Sequence, residues 1–325
     1  MTLILGIETS CDETGVAVVR DGRAIVANEV ASQIHIHREF GGVVPEIASR
    51  RHTTCISQLT RLVLDQSGPV DAVAATWGPG LMGSLLVGVS FAKSLAYAWG
   101  VPYVPVHHIE GHIFSVFVDP EQSDVDFPFL ALVVSGGHTC LIDCPRPHVY
   151  EILGSTRDDA VGECFDKVAR LLGLPYPGGP SIQKAAEGGD PHAFSFPRAM
   201  MQGDSLEFSY SGLKTAVLYE MRDGAPSPAD LAASFQHAAV DVLVMKTRRA
   251  LEVSGRTRLV VAGGVSANRL LRERLTTELD IPVHVPPLSL CVDNGAMIAA
   301  AAYSRLQHGF VGQLSDTASA SMRLA

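Results

Sequence analysis

Apolar residues along this chain fall into short runs bounded by turn residues, with longer stretches of helical spacing between them. Residues 3–7, 16–20 and 24–27 predict three strands, the last two joined by a tight Asp21-Gly22 turn. Residues 45–64 carry the i, i+3, i+4 spacing of a helix. Residues 70–76 then predict a strand, Trp77-Gly78-Pro79-Gly80 a loop, 84–98 a helix and 101–106 a buried strand. The order then recurs. Residues 129–134, 138–144 and 149–153 predict three more strands and 158–172 a helix. A strand at 259–262, the loop Gly263-Gly264-Val265-Ser266, a helix at 268–275, a strand at 282–285 and a helix at 296–307 follow. Residues from about 174 to 256 form a largely helical insertion.

Three meandering strands followed by alternating helices and strands, used twice, is the plan of the actin-like ATPase and sugar-kinase folds. The expected fold class is therefore α/β, duplicated, with two lobes around a central cleft. One lobe would span residues 1–108, completed by a helix near 296–325. The other would span 109–295 and carry the insertion.

Composition narrows the class. The chain has 325 residues, 47% of them hydrophobic and 18% charged, which suits large buried cores and excludes a disordered chain. The first residues lack the basic segment of a secretion signal. Residues 81–99 are the longest apolar region, but Gly83, Gly88 and Lys93 interrupt it, so it predicts a buried helix rather than a membrane span. The six cysteines follow no framework and predict reduced thiols in a cytoplasmic protein. A net charge of −9 argues against a general nucleic-acid-binding surface, though not against a local patch. His35-Ile36-His37-Arg38 with Arg50-Arg51-His52 is one candidate patch, and Met245-Lys246-Thr247-Arg248-Arg249 is another.

The strongest chemical signal is His108-Ile109-Glu110-Gly111-His112, directly after a predicted strand. Histidines four apart share a helix face and can hold one metal between them. A pair of histidines satisfied by protein partners fits the spacing equally well. A zinc peptidase would need its glutamate directly after the first histidine, where Ile109 stands. Glu110 lies roughly 200° around a helix that turns about 100° per residue, so it points away from the metal face. Asp293 could complete a two-histidine, one-carboxylate site with open positions, or could cap the helix that follows it. Asp159, Glu163 and Asp166 are spaced to share a helix face, as a solvated acidic surface also would.

Small-residue loops at strand ends could hold phosphate through backbone N–H groups. They are 8–15, 78–80, 135–139, 177–180 and 263–268, and none matches a P-loop or a dinucleotide fingerprint.

Taken in order, the strings G-I-E-T-S-C-D-E-T-G, G-G-V-V-P-E-I-A-S-R, H-I-E-G-H, L-V-V-S-G-G-H-T, G-E-C-F-D-K, Y-P-G-G-P, F-S-Y-S-G-L-K-T, A-G-G-V-S-A-N and D-N-G-A-M-I resemble the tRNA N6-adenosine threonylcarbamoyltransferase family along nearly the whole chain. That family was once labelled a sialoglycoprotein endopeptidase. The resemblance implies transfer of threonylcarbamoyl from threonylcarbamoyl-AMP to N6 of the adenosine beside the anticodon, in tRNAs reading codons that begin with A. It implies that His108, His112 and Asp293 bind one divalent metal, Fe2+ in first place, with Zn2+ or Mg2+ as alternatives. It implies that Val133, Val134, Ser135, Gly136, Gly137, Asp166, Gly179 and Asn268 line an adenine-nucleotide site for the donor or for ATP or ADP. Glu8, Ser10, Asp12 and Glu13 form a candidate phosphate or metal loop. Gln183 departs from the aspartate many relatives carry, which puts a hydroxyl contact there in doubt. The implied partners are tRNA, a paralogous subunit and a small ATPase, with no membrane. Two other readings are a metallopeptidase and an actin-like nucleotide-binding subunit without chemistry of its own.

Overall fold

The first strand, β1 (Leu3–Glu8), is buried on both faces, and the two faces receive different helices. Leu5 and Ile7 join Val16, Val18, Val73, Leu85 and Val89 in one apolar cluster. Gly6 points the other way, where a Cβ would lie 2.2 Å from the Gly295 carbonyl oxygen. A strand clothed on both sides reads as an unbroken apolar run, which is why residues 3–7 were legible as one.

The computed structural model describes residues 1–118, 125–223 and 227–324, and its contacts divide the chain into two units. The first comprises Met1–Asp126 with Pro286–Ala325. After β1 come β2 (Glu13–Arg20), β3 (Ala24–Ser32), a single turn α1 (Ile34–His37), α2 (Pro45–Ser67), β4 (Ala72–Gly78), α3 (Met82–Trp99), β5 (Tyr103–His107) and α4 (His108–Phe114). The sheet order is β3-β2-β1-β4-β5, with β1 antiparallel to β2 and parallel to β4. α10 (Leu288–Cys291) and α11 (Gly295–Gln307) close this unit.

The second unit, Phe127–Val285, repeats the topology. β6 (Phe129–Val134), β7 (Thr139–Arg146) and β8 (Val149–Ser155) form the meander. α5 (Val161–Leu171), α6 (Gly178–Ala185), α7 (Ser211–Asp223) and α8 (Pro228–Ser254) follow, then β9 (Leu259–Ala262), α9 (Arg269–Glu278) and β10 (Val283–His284). Its sheet runs β10-β9-β6-β7-β8, the first unit's order with each strand replaced by its counterpart. Within the stretch read as an insertion, residues 224–226 lie outside those described.

Two local expectations change. β3 extends to Ser32, well past residue 27, because its polar residues pair along an edge that an apolar run does not mark. The helix expected from 158 starts at Val161. Asp158 is committed elsewhere, its carboxylate accepting from Ser209 Oγ (2.6 Å), Tyr210 N (2.8 Å) and Ser211 Oγ (2.7 Å). Asp159 therefore lies off the helix, where it pairs with Lys167 at 2.6 Å. None of the six cysteines is in a disulfide, and no described helix is long and apolar enough to cross a membrane.

Candidate functional site

In the first unit, β5 delivers the chain to α4, a helix of seven residues, all of them buried. A helix this short has little stability of its own, so its direction is set by caps and packing. Its two histidines present edge-on rings with centroids 4.6 Å apart. Asp293 comes to them from the turn before α11, its Oδ1 lying 3.2 Å from His112 Nε2 and 3.8 Å from His108 Nε2. One ligand atom from each of these residues falls within 4.8 Å of the others. Two atoms each about 2.1 Å from a shared cation stand roughly 3–3.5 Å apart, so the cluster is close to ligand spacing.

The sequence left Asp293 between ligand and helix cap, and the geometry separates the roles. Asn294 is the cap of α11, its Oδ1 accepting from Met297 N at 3.0 Å. Asp293 is thereby left to face the imidazoles. α11 reaches this position because glycines meet where it crosses the sheet. A Cβ on Gly295 would lie 2.4 Å from Ala17 N, and one on Gly15 would lie 2.7 Å from Gly295 N.

His112 carries the clearest mark of a ligand. It is fully buried, and among the described residues neither ring nitrogen has a hydrogen-bond partner. Leaving a buried polar atom unpaired costs about 1–3 kcal/mol, which a cation on Nε2 would offset. The cluster thus fits a metal through its donor set, its spacing and its orphaned nitrogens.

His108 is braced from behind. Its Nδ1 lies 3.2 Å from Glu8 Oε2 and 3.1 Å from Ser10 Oγ, which orients Nε2 toward Asp293. Glu8 is fully buried and also accepts from Ser10 N and Thr76 Oγ1, each at 2.5 Å. Burial opposes a charge on His108, but Asp293 and then Glu8 outweigh it and raise its pKa to about 9 in the metal-free protein. Glu8 and Ser10 thus stand against the metal cluster. Burial, then the carboxylates of Asp12 and Asp293, hold Glu13 well above the usual carboxylate range. The turn between β1 and β2 is pinned by His52, which bonds Thr14 Oγ1 (2.8 Å) and the Cys11 carbonyl (2.9 Å). Thr76 escaped the sequence reading, since a threonine in a strand carries no signal, and His52 entered it only as part of a basic patch.

Glu110 is fully buried and paired with Arg305 of α11 at 2.9 Å. Gly111 belongs where it stands, because a Cβ there would lie 2.7 Å from Ile298 Cδ1.

In the second unit, Val133 and Val134 are buried in β6, so only their backbone is on offer. In the turn that follows, Ser135 N already donates to the His138 carbonyl at 2.8 Å. Gly136 and Gly137 are exposed, and their amides donate to no backbone acceptor among the described residues. Asp166 on α5 accepts from Gly178 N at 2.6 Å, which sets the start of α6 beside it and leaves Gly179 facing open space. Asn268 caps α9 through Leu271 N (3.0 Å) and donates to Gln236 Oε1 (2.9 Å). Gln183 accepts from Arg269 N at 2.7 Å. Gln183, Gln236, Arg269 and Glu273 line a cavity of about 130 Å³.

The basic segment 245–249 is consumed internally. Lys246 is buried and donates to the carbonyls of Met200 and Ser205, both at 2.8 Å, while Arg248 pairs with Glu278 and Arg249 with the Ser205 carbonyl. In the other candidate patch His37 and His52 are buried, whereas Arg38, Arg50 and Arg51 are exposed.

A family model described as tRNA N6-adenosine threonylcarbamoyltransferase matches residues 24–300. The enzyme of that name from Thermomicrobium roseum is 51% identical, the match covering 94% of this chain and 93% of that protein. Among solved structures, full-length HypF in its phosphate- and nucleotide-bound form aligns with a TM-score of 0.63 at 15% identity, over 94% of this chain and 46% of that one. Component A of the Acidaminococcus fermentans (R)-2-hydroxyglutaryl-CoA dehydratase gives 0.55 at 16% identity, over 94% of this chain and all of that one. At such identities the likeness is of fold alone, the duplicated α/β plan described above.

Proposed function

This chain belongs to the tRNA N6-adenosine threonylcarbamoyltransferase family, and from that premise we propose that it transfers threonylcarbamoyl from threonylcarbamoyl-AMP to N6 of the adenosine beside the anticodon, in tRNAs reading codons that begin with A, with release of AMP. The observation that carries the reading is the convergence of one ligand atom each from His108, His112 and Asp293 within 4.8 Å, with the His112 ring fully buried and Asp293 facing its Nε2.

The donor is a mixed anhydride and already activated, so no protein nucleophile is required. What remains is to position a weak aryl-amine nucleophile and to stabilise charge on the carbonyl and the departing phosphate. A bound divalent metal supplies Lewis acidity and a template for oxygen ligands. His108, His112 and Asp293 would hold it, with Glu8 and Ser10 fixing the His108 ring. Two imidazoles and a carboxylate suit Fe2+ and also accept Zn2+. The metal serves geometry, so protein loaded with zinc at equal occupancy keeps its activity, and loss of activity would contradict this.

In the second unit, the amides of Gly136 and Gly137 would bind the phosphate, with Ser135 holding the turn through its hydroxyl, 3.1 Å from His138 N. Val133, Val134, Asp166, Gly179 and Asn268 would shape the site for the adenylate. Gln183, its oxygen engaged by Arg269 N, would offer its NH2 to a ribose hydroxyl where a carboxylate would accept. The buried Glu110–Arg305 pair removes the base a metallopeptidase would need. Asp12 and Glu13 remain candidates for a phosphate or second cation contact.

The chain is acidic overall, and its segment 245–249 is tied down by internal contacts. We infer that a paralogous subunit completes the tRNA surface and that a small ATPase serves the assembly, in the cytoplasm. Tight tRNA binding by the isolated chain would oppose this. The function itself is tested by incubating chain, candidate partners, tRNA and synthetic donor, then digesting the tRNA. N6-threonylcarbamoyladenosine is the expected product, and its absence with metal-loaded protein would count against the reading.

A further inference from the structure

After α11 the chain does not leave the first unit but runs back across it, anchored first at the start of β5 and along α3 and last at the root of α4. Gly312 N donates to the Tyr103 carbonyl at 2.9 Å. Lys93 Nζ, on α3, donates to the carbonyls of Leu314 (3.1 Å) and Asp316. Ala318 is buried in the apolar cluster that contains Leu85 and Val89. Ser319 N donates to the Trp77 carbonyl at 2.9 Å, and the Ala320 carbonyl accepts from Gly80 N at 3.2 Å. The bed is shaped for this path. A Cβ on Gly312 would lie 2.5 Å from Pro105 Cδ, and one on Gly78 would lie 2.3 Å from the Ser319 carbonyl oxygen.

The last contact reaches the metal-binding motif. His107 is buried, and its Nε2 lies 3.3 Å from the Met322 carbonyl oxygen. A carbonyl only accepts, so Nε2 carries the proton. Nδ1 is then the acceptor, and it takes the Ile109 amide at 3.2 Å, capping α4. A single neutral tautomer satisfies both ends, and each contact holds the ring for the other. His107 touches neither Asp293 nor a substrate loop in any contact described above, yet it fixes the first turn of the helix that presents His108.

We propose that segment 309–322 is a strap that positions the metal-binding helix, with His107 as the positioning residue that transmits its docking to His108. The inference rests on the metal reading above and adds to it a dependence on a remote part of the chain. Loss of a group that orients a metal ligand weakens metal binding roughly 10–100-fold, which sets the expected scale.

The test compares Co(II) titrations and visible spectra of the full chain with those of a chain ended after Val311, of Lys93→Met and of His107→Asn. Asparagine keeps an acceptor for the Ile109 amide but is too short to reach Met322. Shortening the chain is expected to weaken Co(II) binding about 10–100-fold and to alter the ligand-field bands. His107→Asn should match it, and Lys93→Met should shift both readouts in the same direction by a smaller factor. Shortening a chain that already carries His107→Asn should add less than about twofold, because both changes break one connection. If circular dichroism shows the shortened chain unfolded, the Lys93→Met comparison, alone and with His107→Asn, decides. Wild-type affinity and spectrum in the strap variants would overturn the inference alone, as would effects that multiply. No Co(II) uptake by the intact chain would overturn the metal reading and the strap with it.

Discussion

The two units share a topology and differ in how they offer chemistry. The first concentrates it in side chains. Two buried imidazoles meet a partly buried carboxylate, and the His112 nitrogens have no other hydrogen-bond partner among the described residues. The second offers mostly backbone, and its polar side chains are largely engaged. Asn268 caps a helix, Asp166 holds the start of α6 and Gln183 accepts from Arg269 N. One fold used twice thus supports a site specified by residue type and a site specified by chain path. The consequences of mutation should differ accordingly.

The largest effect is expected from His112→Ala or Asp293→Ala. Either should lower metal affinity by more than the roughly 10–100-fold that loss of an outer partner costs, and take transfer activity to background. AMP binding by calorimetry should be unchanged, and a parallel loss of AMP affinity would break the contrast. Next comes Glu8→Gln, which leaves the ligands in place but weakens the brace on His108, with an expected loss of about tenfold in metal affinity. Third, metal uptake should depend on pH. The His108 pKa is raised from 6.5 to about 9 in the metal-free protein because Asp293 and Glu8 outweigh burial. That pairing stabilises the metal-free fold fully below about pH 6.5, and the stabilisation is lost as pH rises through about 9. A cation must displace this proton, so apparent Co(II) affinity should fall by up to about tenfold per unit as pH drops from 9 toward 6.5. A flat profile would contradict the assignment of His108 as a ligand.

In the second unit the effects should be smaller. Asn268→Ala removes a cap, worth about 1 kcal/mol of stability by thermal melting, and should weaken AMP binding with metal affinity intact. Ser135→Ala removes one hydrogen bond, about 1 kcal/mol, and should act on AMP alone. Loss of metal by either variant would erase the distinction between the units.

The same division explains what could be read in advance. Strands buried on both faces announce themselves as apolar runs, so 129–134 and 259–262 match β6 and β9 to the residue. The edge strand β3 extends beyond its apolar part because pairing, not burial, defines its second half. Histidines four apart are a signal in themselves, whereas Asp293 and Asn294 are both good caps and only the fold shows which one caps. Glu8 meets His108 from 100 residues away in sequence, and Thr76 holds Glu8 from 68 residues away, relations no local pattern contains. The run at 245–249 looked like a surface patch, yet Lys246 lies inside the second unit, bonded to two carbonyls. A charge run tells nothing of which face of a helix is covered. The candidate phosphate loops were the least legible, because glycines in turns are common and what sets one apart is which amides have no backbone acceptor.

The central claim is that one cation is held jointly by His108, His112 and Asp293. X-ray absorption at the metal edge of the loaded, intact chain tests it most directly. The account predicts two imidazole scatterers and a carboxylate oxygen in the wild type, and one imidazole in His112→Ala at whatever occupancy remains. A wild-type spectrum without imidazole scattering, or one that His112→Ala leaves unchanged, would contradict it.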